Sequence, residues 1–409
     1  QNKNTMTEII VQKFGGTSVG SVERIDAVAE IIKKASKSKK IIVVVSAMGG
    51  ETNRLVKLAK HFDKDPDKRE FDALVSTGET VSSALLAMAL QSKGIKARSY
   101  SASQISMRTT DSYSKAKILD VDADKILSTI KDNTIPIITG FQGVTAGGDV
   151  TTLGRGGSDT TAVAIAAQVG AERCDIYTDV DGIFTTDPKV VPNAKKLDSI
   201  TMEEMLELAS QGAKVMQTRA VEFANKYNVP VRVLSSFNDG SGTLISQKDE
   251  SMENSVVSGI AFQKDQVKFT LHGVGDTPGT AFKILGPISD AEVEVDVIVQ
   301  NVSVDGKTDF TFTVASEDQD VVNKVIKTSK NDVQYKDLIV NSDIAKVSLV
   351  GAGMRSQTGV ASRAFKALSE NDVNIQIICT SEIKITMVID EALVDKAVQV
   401  LHEEFELEK

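Results

Sequence analysis

Between Ile9 and about Ile245, short runs of apolar and mostly β-branched residues recur with helical patterns between them: IIVVV from Ile41, IPIIT from Ile135, CDIYT from Cys174 and VRVL from Val231. Strands that read as continuous apolar runs and are separated by helices call for a mainly parallel sheet covered on both faces, an α/β architecture. In such a sheet ligands collect at the loops leaving the carboxyl ends of the strands. Ser46 and Ala47 end one run, Gly140 and Phe141 another, and Thr178 and Asp179 a third.

Two of the strand-to-helix turns are rich in glycine. VTTLGRGGSDTTAVAIAAQVG, from Val150, opens straight into an Ala-rich helix and so points backbone N–H groups at an anion. Arg155 lies inside that turn with a five-donor fork suited to a carboxylate or phosphate, and Asp159 follows within the first helical turn. In VQKFGGTSVGS, from Val11, Lys13 ends an apolar strand just before Gly15 and Gly16, and an amphipathic helix begins near Ser21. An ammonium beside exposed amides suits a polyphosphate. The spacing is not that of a Walker A loop, and the H-R-D and D-F-G signatures of protein kinases are absent. The plainer alternative is that such glycines only let a helix pack closely on a sheet, with Ser158 and Asp159 as helix caps and Thr52 merely preceding a helix.

A net charge of −9, no tryptophan and only 5% aromatic residues argue against a nucleic-acid partner. No run approaches the roughly 18 uninterrupted apolar residues of a membrane span, and the cytoplasm is the default address. Cys174 and Cys379 each fall in a strand-like run without a C-x-x-C partner, so both are expected as reduced core residues. QNKNT precedes Met6, which reads as the natural start. No cluster of three carboxylates suggests a protein metal site.

After Asn238, NDGSGT and the polar SQKDESMENS read as a junction, which sets a catalytic unit at 6–245 and a linker at 246–264. The chain then repeats itself: VKFTLHGVGDTPGTA from Val267 matches AKVSLVGAGMRSQTGVA from Ala345, and DAEVEVDVI from Asp290 matches ENDVNIQII from Glu370. Two copies of one small module are expected at 265–340 and 345–409, each a βαββ unit with an antiparallel sheet and an exposed edge.

KFGGTSVG, VVVSAMGGETNRL, STGE, GFQG, TTLGRGGSDTTA, IYTDVDGIFTTDP and MLELASQGAKVMQTRAVEFA occur in one order, and together the chain resembles the monofunctional aspartate kinases of the amino-acid-kinase superfamily, with the repeats resembling paired ACT domains. That resemblance implies transfer of the ATP γ-phosphoryl to the side-chain carboxylate of L-aspartate. It places Lys13, Phe14, Gly15, Gly16, Ser46, Thr178, Asp179, Phe184, Thr185, Thr186, Asp187, Pro188, Lys189 and Lys214 at ATP, with Mg²⁺ carried by the nucleotide phosphates. Thr52, Glu79, Arg155, Gly156, Gly157 and Ser158 would surround aspartate, and Asp159 would orient Lys13. One departure is the loop from Ser112, which reads SYSKAK where relatives often carry His-Asn or His-Gly before Lys-Ala-Arg.

The resemblance also implies effector sites at Asp276, Thr277, Pro278, Gly279, Thr280, Ala281, Glu294, Val295, Asp296 and Gln300, and at Met354, Thr358, Val360, Asn374, Ile375 and Ser381. Lysine plus threonine, or lysine alone, would bind there, and the repeats would also join subunits into a homodimer or larger assembly. Another acceptor branch of the superfamily and a non-catalytic amino-acid sensor are the competing readings.

Overall fold

The computed structural model describes residues 9–213, 215–247, 256–301, 306–329 and 333–409, so Met6 and Lys214 lie outside the described residues. The chain divides into two units, the first within Gln1–Phe184, Lys196–Ser210 and Lys214–Glu253, the second within Thr185–Lys195, Gln211–Ala213 and Asn254–Lys409.

In the first unit the elements run β1 (Ile9–Phe14), α1 (Val22–Ala35), β2 (Lys40–Val45), α2 (Glu51–Phe62), α3 (Lys68–Val75), α4 (Thr77–Ser92) and β3 (Ala97–Tyr100). They continue with β4 (Arg108–Thr109), β5 (Ile118–Asp120), α5 (Ala123–Lys131), β6 (Ile135–Thr139), β7 (Gln142–Val144), β8 (Val150–Thr152), α6 (Gly157–Val169) and β9 (Arg173–Thr178). β10 (Ser199–Thr201), α7 (Met202–Ser210), α8 (Thr218–Tyr227), β11 (Val231–Ser235) and β12 (Thr243–Ser246) complete it.

The main sheet has the order β10-β12-β11-β9-β1-β2-β6-β3, parallel except where β11 meets β12. Val43, Val44 and Val45 are all fully buried, as a strand covered on both faces requires. The chain builds outward from β1 in both directions, to β2 on one side and β9 on the other. That reversal of strand order opens a crevice at the carboxyl ends of β1, β2 and β9. A small second sheet, β5-β4-β7-β8, leads into the turn before α6. The stretch Lys68–Ser92 is apolar and long enough to cross a membrane by composition, yet half of it is buried inside the unit and Glu79 lies within it.

The second unit holds β13 (Gly259–Gly275), α9 (Thr280–Asp290), β14 (Asp296–Gln300), β15 (Lys307–Ala315), α10 (Gln319–Thr328), β16 (Asp337–Val350), α11 (Val360–Glu370), β17 (Ile377–Thr380), β18 (Lys384–Asp390) and α12 (Val394–Glu404). Their antiparallel sheet runs β14-β15-β13-β16-β18-β17. The two modules interlock where a tandem arrangement was expected. β13 pairs through Gln266–Gly275 with β15, while its start, Gly259–Gln263, pairs with Lys346–Val350 of β16. The first five residues of β13 thus complete the sheet of the second module, and the expected linker at 246–264 is strand over its last part. β16 likewise runs unbroken across the expected gap between 340 and 345.

Two further expectations are corrected. Residues 185–195 and 211–213, expected in the catalytic unit, pack with the second: Val191 is buried in the core formed by Val347, Leu349, Val398 and Leu401. Cys174 is a free core residue as expected, but Cys379 is exposed, because β17 is a sheet edge.

Candidate active site

The parallel strands bring their carboxyl ends to one side, and there a cleft of about 320 Å³ is lined by Lys13, Gly16, Ser46, Thr52, Glu79, Arg155, Gly156, Gly157, Ser158 and Asp159. Ten residues singled out from four separate sequence motifs therefore meet in one place. Ala47, Met48, Gly49, Gly50, Phe141 and Gly154 also line it. Ala47 and Phe141 were expected at strand ends where ligands collect, whereas Met48, Gly49, Gly50 and Gly154 were not singled out, although Gly-Gly after β2 was an available signal.

Lys13 lies on β1, 9% exposed, and its Nζ stands 2.6 Å from Asp159 Oδ1 in the first turn of α6. The pair is an ion contact rather than a directed hydrogen bond, since Oδ1 has no hydrogen-bond donor aligned on it. Ser158 and Asp159 are not caps: the cap position of α6 is Gly156, whose φ of 70° is left-handed. A side chain at Gly156 would also strike Gln217, with a Cβ only 1.9 Å from its Cγ. The turn can pass there only as glycine, and it presents the amino end of α6 to the cleft. Arg155 is exposed on this turn and has no ion-pair partner among the described residues. Thr52 lies inside α2 rather than before it, half-buried beside Gly50.

Glu79, in the first turn of α4, is 3% exposed. Its Oε1 accepts from Ala47 N at 3.1 Å, and Oε2 is buried with no hydrogen-bond partner among the described residues. Burial pushes its pKa up to about 7, against the counteracting bond from the Ala47 amide. Gly78 permits this close approach, for a Cβ there would lie 2.8 Å from that of Ala47. A buried carboxylate in the wall of a cleft, with one oxygen left without a hydrogen-bond partner among the described residues, is prepared for a cation.

The nucleotide residues divide. Phe14 is buried and stacks on Tyr177 with ring centroids 4.6 Å apart, and Gly15 N donates to Tyr177 O, which ties the β1 turn to the end of β9. Thr178 and Asp179 follow Tyr177, Thr178 Oγ1 donating to Asp179 Oδ1, and Phe184 also belongs to this unit. Of the described residues assigned to ATP, Lys13, Gly16 and Ser46 line the cleft; Phe14, Gly15, Thr178, Asp179 and Phe184 do not, and the same holds of Thr185, Thr186, Asp187, Pro188 and Lys189. The last five belong to the second unit, where Thr185 and Thr186 are buried and Thr185 O accepts from Ile260 N. Their burial depends on a core contributed from far along the chain.

In the second unit Asp276, Thr277, Pro278 and Gly279 form the turn after β13, and Thr280 and Ala281 open α9. Gln300, ending β14, reaches this turn weakly, Nε2 to Asp276 Oδ1 at 3.5 Å. Glu294 and Val295 lead into β14. Asp296 is engaged in an ion pair with the buried Lys346. Burial raises its pKa, but Lys346 outweighs that and holds the carboxyl below its ordinary value. Met354 and Thr358 lie in the corresponding turn before α11, Val360 is its buried first residue, Asn374 and Ile375 precede β17, and Ser381 follows it.

The fold and cleft are those of a small-molecule kinase, and the family model of the amino acid kinase family matches residues 8–235, with an ACT domain model matching 347–405. The chain belongs to the amino acid kinase family. It is 55% identical over 404 residues to an aspartate kinase of Pseudomonas fluorescens, with 98% of each chain covered. Escherichia coli aspartokinase III, solved in complex with aspartate and ADP (R-state), matches it with a TM-score of 0.82 and 28% identity over 97% of this chain and 99% of that one. The same enzyme in complex with lysine and aspartate (T-state) matches at a TM-score of 0.77, also at 28% identity and with the same coverage. Within the family the chain is an aspartate kinase, a phosphotransferase with a carboxyl group as acceptor.

Proposed function

We propose that the cleft transfers the γ-phosphoryl group of ATP to the β-carboxylate of L-aspartate, giving 4-phospho-L-aspartate and ADP, the first step toward lysine, threonine and methionine. The observation that carries this reading is the empty, buried Oε2 of Glu79 in a cleft that also holds the unpaired guanidinium of Arg155. Those two groups match an ammonium and an α-carboxylate on one small molecule. Arg155 and the amides of Gly156 and Ser158 hold the α-carboxylate, with Gly157, whose N–H donates to Gly154 O, shaping the turn between them; Glu79 takes the ammonium, and Thr52 borders the acceptor.

The acceptor carboxylate is ionised at neutral pH, so one of its oxygens attacks the γ-phosphorus without a general base while the bond to the bridging oxygen breaks and ADP leaves. Catalysis then rests on placement and charge neutralisation. Lys13 neutralises the moving phosphoryl oxygens, Asp159 fixes the direction of Lys13, and the amide of Gly16 helps cradle the chain of phosphates while Gly15, bonded to Tyr177 O, holds the turn in place. Ser46, Thr178, Asp179 and Phe184 border the nucleotide on the strand ends of the first unit. Mg²⁺ rides on the nucleotide phosphates.

The paired ACT modules, by this reading, bind lysine plus threonine at the Gly275–Ala281 and Gly351–Gly359 turns and inhibit the enzyme. The exposed edges at β14 and β17 pair between subunits of a homo-oligomer working in the cytoplasm. The test is ADP release with L-aspartate, L-glutamate, N-acetylglutamate and UMP as parallel acceptors, hydroxylamine trapping any acyl phosphate. Turnover and hydroxamate with aspartate alone are expected; turnover with another acceptor would overturn the assignment.

A further inference from the structure

Asp72, on α3, is fully buried, and nothing in the transfer chemistry uses it. Its carboxylate accepts four hydrogen bonds: Oδ2 from Ser114 N at 2.8 Å and Thr152 N at 2.7 Å, Oδ1 from the hydroxyls of Ser114 and Thr152, both at 2.9 Å. Four is the full acceptor capacity of an ionised carboxylate, and an amide side chain can satisfy only half of it. A buried charge is costly to keep unless its hydrogen bonds fix something.

What they fix is the approach to Arg155. Thr152 ends β8, three residues before Arg155, and Ala116 N donates to Thr152 O at 3.0 Å. Arg219, on α8, closes the same assembly from the other side, Nη1 to Leu153 O at 2.7 Å and Nη2 to Ala116 O at 2.8 Å. The departing loop SYSKAK therefore has a place: Ser114, with a φ of 65°, bridges Asp72 and the turn, and its carbonyl lies 3.0 Å from where a Cβ of Gly154 would stand. Asp72 is also seven residues before Glu79, on the helix that leads directly into α4. One carboxylate thus ties the element bearing the ammonium acceptor to the turn bearing the carboxylate clamp.

We propose that Asp72 is the positioning residue that sets the spacing between Glu79 and Arg155, and with it the affinity for the amino-acid acceptor but not for nucleotide. The proposal rests on the reading of Arg155 and Glu79 as the acceptor's clamps. Misplacing such a clamp by a fraction of an ångström weakens binding without touching Lys13 or Asp159.

The experiment is steady-state kinetics of the full chain with Asp72→Asn, which keeps the shape and halves the acceptors, beside Arg155→Ala. Asp72→Asn is expected to raise KM for aspartate about tenfold while KM for ATP and ADP affinity stay within about twofold. A folded Asp72→Asn enzyme with KM for aspartate within twofold of the parent overturns the proposal. If that variant does not fold, Thr152→Val removes one hydroxyl donor at equal shape: a threefold or larger rise in KM for aspartate supports the proposal and no change overturns it. Arg155→Ala separates the two failures, because an unchanged KM for aspartate there means that the reading of the clamps has fallen as well.

Discussion

Thr185 Oγ1 and His402 Nε2 lie 2.9 Å apart, both buried, one on the loop that leaves the catalytic sheet after β9 and the other on the last helix of the second ACT module. Thr185 Oγ1 also accepts from Lys195 N, and the direction of its hydrogen bond with Nε2 follows the tautomer of the ring. Loop and helix then share a neutral histidine, and the hairpin 185–195 is held as part of the ACT unit.

Acid should loosen this unit. Burial holds the imidazole of His402 below its ordinary 6.5, against the pull of Glu408 and Glu403. The unfolded chain therefore takes up its proton first as pH falls, so the stability tied to the neutral ring is intact above pH 6.5 and is lost progressively below it. Between pH 7.5 and 5.5 the parent should lose more in its first thermal transition than His402→Gln. Equal losses would remove His402 as the titrating group.

The Lys13–Asp159 contact predicts a loss of chemistry with little loss of fold. Removing one group that neutralises developing phosphoryl charge costs on the order of 10² to 10³ in kcat. Lys13→Met should fall by at least that much. Asp159→Asn should fall by about 10²-fold, because it releases the direction of Lys13 while leaving the ammonium present. Single-turnover ADP formation, with ADP affinity measured alongside, separates this from weakened binding; a kcat within fivefold of the parent for Lys13→Met would discard its assigned role.

Glu79 was legible as a motif residue, but its state was not. STGE reads as the exposed start of a helix, and only the packing of Gly78 against Ala47 shows that Glu79 is buried and half-unsatisfied. Asp72 was hidden more completely, since KREFDALV looks like a surface helix whose acids face water. The parallel sheet and its glycine turns could be read directly, because apolar runs and turn glycines are local signals. The interlocked β13 and β16 could not: Gly259–Gln263 follows a polar stretch, and its partner strand lies some 90 residues on. Cys379 failed for a related reason, since an apolar run does not reveal that its strand sits at an edge.

The raised pKa of Glu79 carries its own test. A carboxyl that titrates near 7 in the fold and near 4.5 when unfolded costs stability once it ionises, and the cost grows from about pH 4.5 and is complete above pH 7. At roughly 1.4 kcal/mol per tenfold in proton affinity, that is about 3 kcal/mol at most. Glu79→Gln should therefore melt higher than the parent at pH 8 and lose that advantage by pH 4.5, while its KM for aspartate rises by tenfold or more. In the parent, KM for aspartate should climb as pH drops below 7, because a protonated Glu79 no longer attracts an ammonium. A flat profile from pH 8 to 6 would contradict the assignment of Glu79 to that end of the acceptor.

The last prediction concerns Gln300, which ends β14 and points toward Asp276 in the turn before α9. At 3.5 Å their contact is at the outer limit of a hydrogen bond, so little stability is tied to it. An amino-acid effector entering at this turn would offer both side chains better partners, an ammonium for Asp276 and a carboxylate or carbonyl for the Gln300 amide. Asp296 is a poorer candidate for direct contact, because its carboxylate is already committed to Lys346. Gln300→Ala should thus raise the concentration of lysine plus threonine needed for half-inhibition by about tenfold, the loss of one well-placed hydrogen bond to a charged group, with turnover in the absence of effector unchanged. Asp296→Asn should act differently, lowering the thermal stability of the second unit by leaving Lys346 buried and unpaired. Inhibition curves for both variants, with each amino acid alone and together, decide the matter: if Asp296→Asn relieved inhibition and Gln300→Ala did not, the effector would have to be placed at the ion pair and not at the turn.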